Sequence, residues 1–155
     1  MSHASPAPQP AHHHTADLFS RTGIAASAQN AAQTRADFGD WLAQNLRLDE
    51  TRVCDLLLAT YEALANAAEY AYVQSSGEGT MDLIAEYEAD LDQFVVTIKD
   101  HGVWRQPAPS TDDVAARLRG RGLPLMRELA DEATISSTEV GTQVRLSWHQ
   151  VTGSR

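Results

Sequence analysis

Glu62 and Asn66 stand four residues apart within the run Leu56 to Ala68, which is rich in leucine and alanine. Four helical steps of about 100° bring the second side chain almost above the first, so a carboxylate and a carboxamide share one face. Ala65, Ala67 and Ala68 are small and leave room beside that face. The pair suits a metal-bound phosphate. Asn66 would give an oxygen to Mg²⁺, and Glu62 would take the proton from an attacking hydroxyl. Taken alone, Glu-x-x-x-Asn is a weak signal and reads more simply as the polar side of an amphipathic helix.

A second group is Asp100 with Gly102, in Val96-Thr-Ile-Lys-Asp-His-Gly. A carboxylate at a strand end can accept from an exocyclic amine, and a glycine two residues on lets a flat ring approach the backbone. Such a site would take adenine and reject guanine, whose acceptor oxygen would leave a buried polar group unpaired. The third group is Arg119-Gly120-Arg121-Gly122-Leu123. Its glycines precede a helix start, where backbone N–H groups can converge on an anion, and Arg117, Arg119 and Arg121 add positive charge. It is no P-loop, because the Gly-Lys-Ser/Thr ending is missing. The fourth is Gly141-Thr142 ahead of the last strand, whose hydroxyl could reach the same ring. Each piece has an ordinary reading as a turn or a solvated loop.

The elements that must position these groups can be read from periodicity. A short strand is expected from Asp17 through Ile24. Ser27 should cap a helix running to about Asn45, with Ala31, Phe38, Trp41, Leu42 and Leu46 as its apolar side. Asp49 should cap a second helix, Glu50 to Val73, with Val53, Leu57, Tyr61, Leu64, Ala68 and Tyr72 facing inward. Strands follow at Met81–Glu88 and Phe94–Lys99, then an irregular stretch over 101–119 with one helical turn at Asp112–Leu118. A helix from Gly122 to Asp131 and strands Ala133–Ser137 and Thr142–Trp148 complete the order. This predicts an α+β two-layer sandwich, broadly α/β, with a mixed, mainly antiparallel sheet and helices on one face.

The bulk properties narrow the classes. With 155 residues, 43% of them apolar and 21% charged, the chain suits one globular domain, expected over 17–150. Residues 1–16, rich in Ala, Pro, Ser and His, read as a disordered tail, and 151–155 as a short C-terminal one. His12, His13 and His14 lack the fixed geometry of a metal site. A net charge of −9 opposes direct nucleic-acid contact and binding to an anionic membrane. No membrane span or secretory signal is evident, so a cytoplasmic location is expected. The lone Cys54 cannot form an intramolecular disulfide and is expected to be a buried structural thiol.

Order and spacing unite the four groups. Leu56 to Ala68, Val96 to Gly102, Gly120 to Glu132 and Gly141 to Leu146 together resemble the GHKL ATPase superfamily. More closely, the chain is similar to the bacterial anti-sigma-factor serine/threonine kinases, from about residue 20 to 148. The resemblance implies the Bergerat ATP-binding fold, with ATP and Mg²⁺ as cofactors. It implies Glu62 as general base, Asn66 as the Mg²⁺ ligand, and Asp100, Gly102 and Thr142 around adenine. Arg119, Gly120, Arg121, Gly122 and Leu123 would belong to the phosphate lid. Relatives of this kind phosphorylate an anti-sigma-factor antagonist of the STAS type, bind a sigma factor and form a homodimer. The competing reading is a nucleotide-dependent protein-binding module without kinase activity.

Overall fold

The computed structural model describes residues 18–74, 79–101, 123–138 and 141–152, with the side chains of 70–74, 123, 137 and 138 left aside. In chain order the elements are β1 (Leu18–Ala25), α1 (Ala28–Asn45), α2 (Glu50–Gln74), β2 (Thr80–Glu88), a 3₁₀ turn (Ala89–Leu91), β3 (Gln93–His101), α3 (Leu123–Leu129), β4 (Glu132–Thr138) and β5 (Gly141–His149). The strands form one sheet in the order β1-β2-β3-β5-β4. Every adjacent pair is antiparallel, so the described sheet has no parallel member where a mixed one was expected.

Alternation decides which side of the sheet is covered. Met81, Leu83 and Ala85 of β2, Phe94, Val96 and Ile98 of β3, and Val144, Leu146 and Trp148 of β5 are all buried. The register pairs Phe94 with Trp148, Val96 with Leu146 and Ile98 with Val144, which aligns these side chains on one face. α2 packs over β2, β3 and β5, while α1 packs against α2 and β1. The result is the expected two layers.

Both long helices start where the sequence says they should. Ser27 accepts a hydrogen bond from the Asn30 N–H at 3.0 Å, and Asp49 Oδ2 accepts from the N–H groups of Thr51 and Arg52. In α1, Ala31, Thr34, Phe38 and Leu42 point inward. Phe38 lies between Phe19 and Phe94, with ring centroids 5.1 and 6.1 Å away. Arg52 fixes the start of α2 to the sheet, donating to the His149 carbonyl at 2.9 Å and lying 3.6 Å from the Asp131 carboxylate.

The inward face of α2 is rotated from its predicted position. Leu56, Ala59, Thr60, Ala63, Leu64, Ala67 and Ala68 are buried, whereas Val53, Leu57 and Tyr61 are half-buried toward its flank. Leu57 meets Gly39 of α1. Cys54 is exposed, not buried, because it shares the outward stripe with Leu58, which is 41% exposed. Leu56, close to it in sequence, belongs to the other, buried side of the helix.

α3 is shorter than expected, ending at Leu129. Asp131 leaves the helix and its carboxylate accepts the His149 N–H at 2.7 Å. Trp148 Nε1 donates to the Leu129 carbonyl at 2.8 Å, which closes the same corner. Beyond β5, Val151 is fully buried, and the Thr152 hydroxyl donates to Asp92 Oδ2 at 2.8 Å. The packed unit therefore continues two residues past the boundary expected at 150.

Candidate functional site

Asp100 is the next-to-last residue of β3, on the helix-facing side that Phe94, Val96 and Ile98 begin. It pairs with Met81 of β2, and its side chain is buried although it is ionisable. On its other flank, β5 begins with Gly141 and Thr142, both buried. The Thr142 N–H donates to Asp100 Oδ1 at 3.1 Å, the one hydrogen bond to this carboxylate among the described residues. Burial raises the Asp100 carboxyl from 3.8 to about 7, with the Thr142 N–H and the His101 charge pulling the other way. A buried carboxylate with one oxygen held and one open is built to receive an N–H donor.

Gly141 makes this approach possible. A Cβ at that position would collide with the Asp100 carbonyl oxygen and stand 3.2 Å from Oδ1. What reads in sequence as a Gly-Thr hairpin turn is, in the fold, the wall beside Asp100.

Asn66 and Glu62 lie on α2, one turn apart. Asn66 is buried, and its Nδ2 has no hydrogen-bond partner. An unsatisfied buried amide costs about 1–3 kcal/mol, which a ligand's oxygens would recover. Glu62 is half-buried, one turn before Asn66. The orphaned Nδ2 therefore fits a donor to a phosphate oxygen, and a phosphate-bound Mg²⁺ would be met by the other atom of the same carboxamide, Oδ1. Among the described residues no group of three or more His, Cys, Asp or Glu gathers to hold a metal. Mg²⁺ carried by a nucleotide needs none, since phosphate and water fill most of its octahedron.

The remaining predicted residues fall differently. Gly102, Arg119, Gly120, Arg121 and Gly122 lie outside the described residues, as does the expected helical turn at 112–118; Leu123 opens α3, its side chain left aside. α3, which begins at Leu123, packs on α2, the helix that carries Asn66.

A cavity of about 260 Å³ opens at this end of the sheet, lined by Lys99, Asp100, His101, Ser136, Gly141, Thr142 and Gln143. Its described lining contains no residue of α2. A larger groove, about 540 Å³, lies between β1 and α1 and includes none of the predicted site residues. The chemistry points to the smaller one.

One feature was missed in sequence. Asp82 of β2 accepts the Gly23 N–H at 2.8 Å through Oδ1 and lies 2.8 Å from His101 Nε2 through Oδ2. Gly23 has a φ of 66° where the register of β1 shifts between Arg21 and Ile24. A glycine inside a strand pattern was the available signal for this bulge.

A family model described as a histidine kinase-like ATPase domain matches residues 24–148. Among solved structures, the RsbU and RsbW domains of Rv1364c from Mycobacterium tuberculosis align at a TM-score of 0.64 and 23% identity, over 85% of this chain and 32% of that one. The histidine kinase domain of the Erythrobacter litoralis EL346 blue-light activated histidine kinase aligns at 0.58 and 16%, over 83% of this chain and 65% of that one. The chain thus spans about a third of the first and less than two thirds of the second. At these identities the likeness is one of fold.

Proposed function

The chain belongs to the histidine kinase-like ATPase domain family, and on that premise we propose that it is an ATP-dependent protein serine/threonine kinase of the anti-sigma-factor type. The observation that carries the reading is Asp100: buried, with Oδ1 taken by the Thr142 N–H. In this reading its other oxygen accepts the adenine 6-amino group, Gly102 admits the ring, and Thr142 completes the contact. Arg119, Gly120, Arg121, Gly122 and Leu123 form the lid over the phosphates.

When bound, Mg²⁺ would supply charge neutralisation for the phosphates, and the Asn66 carboxamide oxygen would hold it. Glu62, half-buried one turn away, accepts the proton of the acceptor's hydroxyl as that oxygen attacks the γ-phosphorus and ADP leaves. Little covalent work falls to the protein, because the transition state of phosphoryl transfer is loose and its charge is spread. The acceptor is a STAS-type anti-sigma-factor antagonist, the second partner is a sigma factor, and the working form is a homodimer.

Incubation with γ-labelled ATP, Mg²⁺ and candidate STAS-type proteins tests the proposal. Label on a serine or threonine of the acceptor, lost in Glu62→Ala, is the expected result. ATP binding with no transfer to any acceptor would favour the alternative, a nucleotide-dependent protein-binding module. Absence of ATP binding would end both.

A further inference from the structure

Gly141 stands where β5 begins and β3 ends, and the fit there is close. β3 is a central strand, paired to β2 through Met81 and Asp100 and to β5 through Lys99 and Gln143. Its backbone at Asp100 is held by β2 and cannot retreat. A side chain at 141 would meet the Asp100 carbonyl oxygen, so the start of β5 would have to move outward instead. The residue displaced next is Thr142, whose N–H makes the 3.1 Å bond to Asp100 Oδ1. A 3.1 Å bond is already at the long side of the N–H···O range, and a shift of half an ångström would break it.

We propose that Gly141 is a positioning residue for Asp100: its missing side chain lets the Thr142 N–H hold Oδ1, which fixes the carboxylate's rotation and turns Oδ2 toward the N–H donor of a bound ligand. The identity of that donor as the adenine amine rests on the nucleotide reading above, whereas the clamp does not. The clamp also favours the charged carboxylate, since a donor aimed at Oδ1 stabilises its negative form. Without it, the burial that pushes Asp100 up acts with less opposition.

The test follows the Asp100 carboxyl carbon by NMR during a pH titration, in the wild type, in Gly141→Ala and in Ala31→Gly. The last removes a buried methyl group from α1, which packs on α2 and β1, and so weakens the fold through a different element. Gly141→Ala should raise the Asp100 midpoint by about half a unit or more and weaken ATP binding about tenfold or more. Ala31→Gly should do neither. A Gly141→Ala midpoint equal to that of the wild type overturns the proposal, even where ATP binding falls.

Should Gly141→Ala fail to fold, the wild type decides. The Thr142 amide resonance must shift with the same midpoint as the Asp100 carboxyl, and an amide indifferent to that ionisation overturns the clamp. A clamp that behaves as described in a protein with no affinity for ATP supports Gly141's role and refutes the nucleotide reading.

Discussion

Asp100 and His101 are neighbours in β3 that face opposite sides of the sheet. Asp100 is buried toward the helices; His101 is exposed and sits 2.8 Å from Asp82. One strand end therefore places a carboxyl in a desolvated layer and a basic ring on the outer face. The ring's charge moderates the rise in the carboxyl's pKa but does not cancel it.

Stability should depend on pH through Asp100. Its folded value, raised to about 7 from 3.8, means that the native state binds a proton more tightly than the unfolded chain does. Stability is then fullest below about pH 4 for this group and falls as pH rises toward 7. The whole effect is at most about 4 kcal/mol, from about three units at 1.36 kcal/mol each. Asp100→Asn escapes the cost of burying a charge, so its advantage over the wild type should grow between pH 5 and pH 8 in urea melts. A variant less stable than the wild type at pH 8 would refute the account.

Ligand binding should run in the opposite sense. An amine donating to Asp100 favours the ionised carboxylate, so affinity should rise with pH up to about 7 and then level off. Adenosine is the appropriate probe, because phosphate titration does not intrude. Affinity should change by about tenfold per unit on the acid side, and it should be nearly lost in Asp100→Asn. A flat profile between pH 5 and pH 8 would remove Asp100 from recognition.

Glu62 and Asn66 should separate by their effects. Glu62→Ala should leave ATP affinity within about twofold and cut phosphoryl transfer by about 10²–10⁴-fold, the usual contribution of a general base. Asn66→Ala should instead abolish the part of ATP affinity that depends on Mg²⁺. Calorimetry with and without Mg²⁺ measures the second, and a single-turnover transfer assay the first. Equal loss of binding in both variants would contradict the division of roles.

Thr60 gives a stability prediction independent of ATP. Its hydroxyl is fully buried in α2 and has no hydrogen-bond partner. Thr60→Val keeps the shape and removes the stranded polar atom, so stability should hold or rise by about 1 kcal/mol. A loss of more than about 1 kcal/mol in chemical denaturation would mean that the hydroxyl is satisfied in solution.

Several features were legible without coordinates because they are local. Ser27 and Asp49 cap helices through N–H groups two or three residues away, and no distant residue alters that geometry. The alternation of Val144, Leu146 and Trp148 exposes its buried side because a strand repeats every two residues. The spacing of Glu62 and Asn66 follows equally from helical pitch. Order and spacing of the four groups then led to the family.

What the tertiary structure alone decided is which surfaces meet. The inward face of α2 is set by its packing on β2, β3 and β5, and this turned Cys54 outward and left Val53, Leu57 and Tyr61 half-buried. Sequence periodicity gives a helix's apolar arc only to within a residue or so when alanines, indifferent to burial, fill both sides. Gly141 and Asp100 are far apart in the chain, and their contact exists only because β5 inserts between β3 and β4. The Asp82, His101 and Gly23 cluster joins three strands for the same reason. Strand order and desolvation are properties of the assembled sheet, and they set the ionisation of Asp100.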